Sequence, residues 1–222
     1  MTCSPRLSSA AIGLYALASR ARRDTGGVAA LEFALLLPVM LLMYFASAEV
    51  TKAVMASRKV TAATRAMSDL LAQQANSVSD TTLADIFAAA KPVMSPFPTT
   101  AVELQTTLSN IKFVAQNGNP GAYDAFTVWS STTTSNAKRP CTTKLTPVSN
   151  SADPTPTGVP MGLYGGGTIV VADVTYVYPS PFNINIGIWK SPATFTFKRA
   201  IFNAPRNQNS IAYTGSNGTI CP

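Results

Sequence analysis

The sequence predicts an α+β fold in which one long N-terminal helix, transmembrane in its first half, packs on a small, mainly antiparallel β domain. Three observations predict it. Val28 to Ala48 form an apolar run of 21 residues with Glu32 as the only charge. A helical pattern then continues without Gly or Pro to about Gln74. Beyond residue 100, short runs rich in Val, Ile, Thr and aromatic residues are separated by turn-forming segments.

The 222 residues suffice for one ordinary domain and an anchor. Charged residues are 12% and apolar residues 46%, and much of the apolar content is concentrated in that one run. The net charge of +7 raises the question of nucleic acid, but its distribution argues against such a partner. Arg20, Arg22 and Arg23 precede the apolar run, Lys52, Arg58, Lys59 and Arg65 follow it, and the rest are dispersed. Four of the seventeen basic residues and one of the ten acids lie in residues 1–27, so the remainder carries only +4.

Residues 1–27 read as a basic cytoplasmic leader, because the mildly apolar stretch Ala10 to Ala18 is too short to span a bilayer. Residues 28–48 match the ~20 residues needed to cross ~30 Å of hydrocarbon. The arginines before the span favour a cytoplasmic N-terminus, and the cations after it dilute that bias. Pro38 removes one backbone donor, which predicts a bend. Residues 49–75 form a helical stem, and an apolar or small-residue seam at alternating spacings of three and four runs from Glu32 through Ala56, Val60, Ala63 and Met67 to Leu70. That seam reads equally as ordinary amphipathicity or as a surface for a partner. Arg65 is placed to pair with Asp69.

Residues 76–222 form the extracytoplasmic domain. Ser79 or Asp80 caps a short helix, Thr81 to Lys91, which Pro92 is expected to stop. Strands are expected at Val102 to Leu108, Ile111 to Ala115, Ala125 to Ser131, Thr168 to Tyr178 and Thr194 to Phe202. Alternation puts Phe195 and Phe197 on one face of the last of them. The segments 132–167 and 203–222, dense in Thr, Ser, Pro, Gly and Asn, read as long loops or tails.

The chemistry is narrow. Without histidine, Ser-His-Asp, Cys-His and HExxH sites are excluded, and with them the commonest metal ligand. The stretch Gly162 to Thr168 lacks the Lys of a phosphate-binding loop and reads as a turn. Asp124, Asp153 and Asp173 have no spacing of a calcium loop or a glycosidase pair and read as solvated positions or local caps. Tyr176, Tyr178, Phe182, Trp189, Phe195, Phe197 and Phe202 read mostly as core. No enzyme, cofactor or metal is expected. Cys3 lies upstream of the span, whereas Cys141 and Cys221 lie downstream and share one compartment. They form either a bridge tying the C-terminal tail to a loop or two unpaired thiols, and the bridge is the expectation.

The most informative segment is Gly27-Val28-Ala-Ala-Leu-Glu32-Phe33, which joins a basic leader, a glycine and an acid inside an apolar helix. An acid at such a position costs about 2.5 to 3.5 kcal/mol at mid-membrane depth and calls for a partner. Here the chain resembles the TadE-like family, minor pseudopilins of the Tad (Flp-type) pilus assembly system. Gly27, Glu32 and Phe33 occupy that family's processing glycine, its glutamate and the aromatic that follows. Pro38 after the apolar stretch is similar to the family signature, as are, less specifically, Tyr176 to Phe182 and Ala204-Pro-Arg206.

The resemblance implies a pilin-like fold, cleavage between Gly27 and Val28, and a role for Glu32 in neutralising the Val28 amine of a neighbouring subunit. It implies an inner-membrane protein with its C-terminal domain outside the cytoplasm, taking part in assembly of a pilus for adherence and surface colonisation. The implied partners are prepilin peptidase, other pseudopilins, the major pilin, the inner-membrane assembly platform and membrane lipid. Two other readings compete. Ala46-Ser47-Ala48 fits ordinary signal peptidase, although Glu32 and the helical pattern beyond Ala48 weigh against it. A signal-anchored exported adhesion or ligand-binding module would share the anchor without any part in pilus assembly.

Overall fold

A computed structural model of the protein describes residues 26–133, 138–149, 157–180, 185–186, 189–190, 194–206 and 210–222. Leader residues 1–25, Asp153, Phe182 and the Trp189 side chain lie outside the described residues. The chain divides into two compact units, Met1–Ala48 and Glu49–Pro222.

The fold is α+β, as the residue patterns predict. The first helix, α1, runs from Gly26 to Ala72 and passes through Pro38 without a break. Strand β1 (Ser77–Val78) leads into α2 (Asp80–Met94), whose N-cap is Ser79, accepting from the Thr82 amide. Strands β2 (Leu104–Ala115) and β3 (Tyr123–Thr132) follow, then the short β4 (Thr146–Val148) and β5 (Gly158–Pro160). After a 3-10 turn at Met161–Leu163 come β6 (Gly167–Pro179), the pair β7 (Asn185–Ile186) and β8 (Trp189–Lys190), and β9 (Thr194–Asn203). Strands β10 (Ala212–Tyr213) and β11 (Thr219–Ile220) end the chain.

Five strands form an antiparallel sheet in the order β11-β3-β2-β6-β9. The two runs expected on either side of residue 110 are one strand, β2. A register shift at Asn110/Ile111 leaves Val128 of β3 as the extra residue, since Asn110 pairs with Trp129 and Ile111 with Thr127. Such a bulge flips the facing of every residue beyond it on one strand. Trp129 therefore faces one layer of the core and Ala125 the other.

One face of the sheet packs on the helices. Ala56, Val60, Ala63, Met67 and Leu71 of α1 are fully buried against Leu108, Val170, Ala172, Val174 and Tyr176, with Leu83, Ile86 and Ala90 of α2 closing the layer. The expected seam holds as far as Met67 and then drifts. Leu71 replaces Leu70 as the fully buried residue because a straight helix advances ~20° per heptad relative to a 3.5-residue repeat. Thr64 and Ser68 enter the same buried face. Thr64 satisfies its hydroxyl by donating to Val60 O at 2.7 Å, and Ser68 donates to Ile201 O at 3.2 Å.

Several expectations are corrected. Helix α2 continues through Pro92 to Met94, since a proline forfeits only its own donor and a last turn has few bonds left to lose. Lys59 reaches across and donates to Val93 O at 3.2 Å, satisfying one terminal carbonyl. Asp69 does not pair with Arg65. It accepts from Asn203 Nδ2 at 2.8 Å and lies 3.9 Å from Arg206. Nor are residues 203–222 a loose tail: β10 pairs in parallel with β1, and β11 extends the main sheet at β3.

Segment 132–167 is not merely a loop. Leu145 and Val159 are fully buried against Ile111, Phe113, Ala125, Ile169 and Val171, so this Thr/Pro-rich chain is a second layer on the sheet's other face. Asp173 is not solvated. Its carboxylate lies in that layer and accepts two hydrogen bonds from Arg139, at 2.8 Å each.

Candidate functional site

The apolar run expected to cross a membrane is presented without cover. Every residue from Gly27 to Leu41 is exposed, and the most apolar 18-residue window of α1 has a mean hydropathy of 2.2 with none of it buried. In water that surface is unfavourable at roughly 25 cal/mol per Å², and within a bilayer the penalty disappears. Length and composition make this the single helix, among the described residues, able to span a membrane. A helix satisfies its interior backbone groups within itself, as lipid requires, apart here from the carbonyl that faces Pro38.

Gly27, Val28, Glu32 and Phe33 all lie on this helix. Glu32 is exposed and makes no ion pair among the described residues. A Cβ built on Gly27 would meet nothing within 4 Å, so the fold itself does not require glycine there. The helix is continuous through Ala48 and on to Ala72.

Among the described residues no group of three or more His, Cys, Asp or Glu is placed to hold a metal ion. The acids that interact do so as fasteners. Asp80, in the first turn of α2, accepts from the Tyr213 hydroxyl, from the Ser216 amide at 2.8 Å and from the Asn217 amide. The Tyr213 hydroxyl and then the Ser216 amide hold its carboxyl below the ordinary value. A Cβ at Gly215 would lie 2.2 Å from the Asp80 carboxylate, so this turn needs glycine to wrap so closely.

Sequence reasoning missed Arg139. Its side chain is fully buried, donates to Gly158 O at 3.0 Å as well as to Asp173, and lies 5.4 Å from the centre of the Phe202 ring. Burial pushes the Asp173 carboxyl up while the Arg139 guanidinium pulls it back. Nothing in local periodicity signals a pair 34 residues apart. Cys141 and Cys221 are joined by a disulfide that closes 80 residues of chain, beside the amide of Cys221, which donates to Val128 O.

A groove of about 520 Å³ lies between α2 and the strands, lined by Phe87, Lys91, Thr99, Thr106, Thr132 and Asn217 among others. The hydroxyls of Thr106 and Thr133 are within hydrogen-bond distance of each other, and Thr132 donates to Thr106 O. Asp80 and Lys91 are the charged residues on its described lining.

Residues 27–68 match the family model described as TadE-like protein. No curated protein and no solved structure matches the chain. The matched segment covers the whole apolar run and most of the stem that follows it, and supports, in general terms, a Tad pilus-related component with a helix able to span a membrane.

Proposed function

We propose that this chain, TadE-like over residues 27–68, is a minor pseudopilin-like structural component involved in assembly of a Tad/Flp-type pilus for adherence and surface colonisation. One observation carries the reading. The matched segment begins with apolar side chains left uncovered, Gly27 to Leu41, and continues, as the same helix, into Ala56, Val60, Ala63 and Met67, which lie in the core of the β domain. Such an element carries a membrane anchor and part of a folded core on one helix. The role is structural, not enzymatic.

In this reading prepilin peptidase cuts between Gly27 and Val28. The open space around Gly27 supports a glycine kept for recognition, since packing does not demand it. The new Val28 amine of one subunit then meets Glu32 of another, and low dielectric strengthens that pair. Phe33 beside it packs on a neighbouring helix. The protein sits in the bacterial inner membrane with residues 1–27 cytoplasmic before processing and residues 49–222 periplasmic or extracellular. The Cys141–Cys221 disulfide supports an oxidising compartment for that domain. Other pseudopilins, the major pilin and the inner-membrane platform are its partners.

Intact mass and N-terminal sequencing of the protein from its native membrane fraction test the processing. A chain starting at Val28 is expected; one starting at Met1 or just after Ala48 would overturn it. Glu32→Ala is expected to leave the chain in the membrane and processed while lowering pilus number. A deletion strain with normal pili, together with direct binding of the purified protein to a surface ligand, would instead favour a signal-anchored adhesion module.

A further inference from the structure

Three rings from separate parts of the chain converge beside the residue at which the apolar run ends. Phe97 follows α2, Tyr178 ends β6 and Phe195 begins β9. Phe97 and Tyr178 meet edge-on at 5.9 Å, and Tyr178 stacks with Phe195 at 6.3 Å. Burial, then the nearby Glu49 carboxylate, pushes the Tyr178 hydroxyl up. The rings adjoin a groove of about 510 Å³ whose walls are Val50, Ala53 and Val54 of α1 and Phe195 and Phe197 of β9. Val50 and Val54 are 63% and 46% exposed.

One carboxylate and one guanidinium line this groove. Glu49 lines it, but both carboxylate oxygens are shielded from solvent and complete no hydrogen bond of good geometry. Arg58 also lines it, is exposed and makes no ion pair among the described residues. An exposed apolar groove with aromatic rings and an unpaired cation on its walls is the composition of a surface that lies in a lipid headgroup layer. The position in the chain agrees. A helix of 21 residues, Val28 to Ala48, rises about 31 Å, close to the hydrocarbon thickness. Glu49 and the turns after it then come where headgroups begin.

We propose that this end of the β domain is a second membrane contact, in which the groove between the start of the stem and β9 takes phospholipid and Arg58 engages an anionic headgroup. The proposal rests on residues 28–48 spanning the bilayer.

The test uses the full chain at one copy per nanodisc, in lipid with brominated acyl chains, with single tryptophans added by L41W, F195W, V54W or I220W and read against the parent. L41W reports the span itself. I220W lies on β11, at the opposite edge of the sheet from β9. F195W and V54W are expected to be quenched about 2-fold more than I220W, and more with phosphatidylglycerol than with phosphatidylcholine. Quenching of L41W without excess quenching of F195W or V54W overturns the proposal and leaves the span intact. An unquenched L41W removes the span and the proposal with it. Equal quenching in the two lipids overturns the assignment of Arg58 to an anionic headgroup. Shielding of F195W only in discs holding two copies would give the groove to a second subunit instead of lipid.

Discussion

The two faces of the central sheet are buried by different means. On one, α1 and α2 lay down fully buried Ala, Val, Leu and Met side chains, and the small Ala56 and Ala63 let the helix approach the strands closely. On the other, chain with little regular structure is held by a buried Arg139–Asp173 pair, a ring of Tyr123, Tyr164 and Phe202, and a disulfide. A helix satisfies its own backbone, so it needs only an apolar stripe to cover a sheet. Irregular chain has unpaired backbone groups and high entropy, and it needs specific fasteners. Arg139 supplies one by donating to Gly158 O while holding Asp173.

The contrast predicts different sensitivities. Arg139→Ala leaves a buried carboxylate alone and is expected to cost about 3 to 5 kcal/mol, read as a lowered denaturation midpoint. Adding Asp173→Leu should restore much of that loss, because the uncompensated charge is gone. A double variant no more stable than Arg139→Ala would mean that the guanidinium acts mainly through Gly158 and Phe202. On the helix face Met67→Ala should cost about 2 to 5 kcal/mol by leaving a cavity, and no second polar change should rescue it.

Next in size is the disulfide. Replacing Cys141 and Cys221 by Ser should cost about 2 to 4 kcal/mol, since the bridge restrains a long loop in the unfolded chain. Proteolysis should then cut residues 138–149 before it cuts α1. Equal cutting of both would mean that the two faces unfold as one.

The smallest expected effect is at Asp80. A folded-state value held below the ordinary one stabilises the protein above the unfolded value, and that stability is lost as pH falls through the folded value. Asp80→Asn should therefore lower the melting temperature modestly at neutral pH. The difference from the parent should shrink below about pH 3.8. A difference that does not change with pH would assign the turn's attachment to hydrogen bonding alone.

How much of this was legible depended on how local each signal was. The anchor, the stem and each long strand followed from periodicities of 3.6 and 2 within a few residues. Gly27, Glu32 and Phe33 were legible for the same reason, as a motif of adjacent residues on one helix. Residues 132–167 and 203–222 read as long loops or tails because Thr, Ser and Pro content describes intrinsic preference. What orders their described parts is distant: Leu145 and Val159 against Ile169, and Ala212 against Ser77. Asp173 was misread because its partner is 34 residues away in sequence.

By itself the sequence determined that an apolar helix of membrane length leads, without interruption, into an α+β domain, because hydrophobic burial and helix continuity are properties of contiguous residues. Only the tertiary structure decided which residues meet across the sheet. It alone made a covering layer of the Thr/Pro-rich segment around a buried ion pair, and set Phe97, Tyr178 and Phe195 beside Glu49. Such contacts form between residues tens of positions apart, and their energies depend on the desolvation each site imposes, which no local pattern encodes.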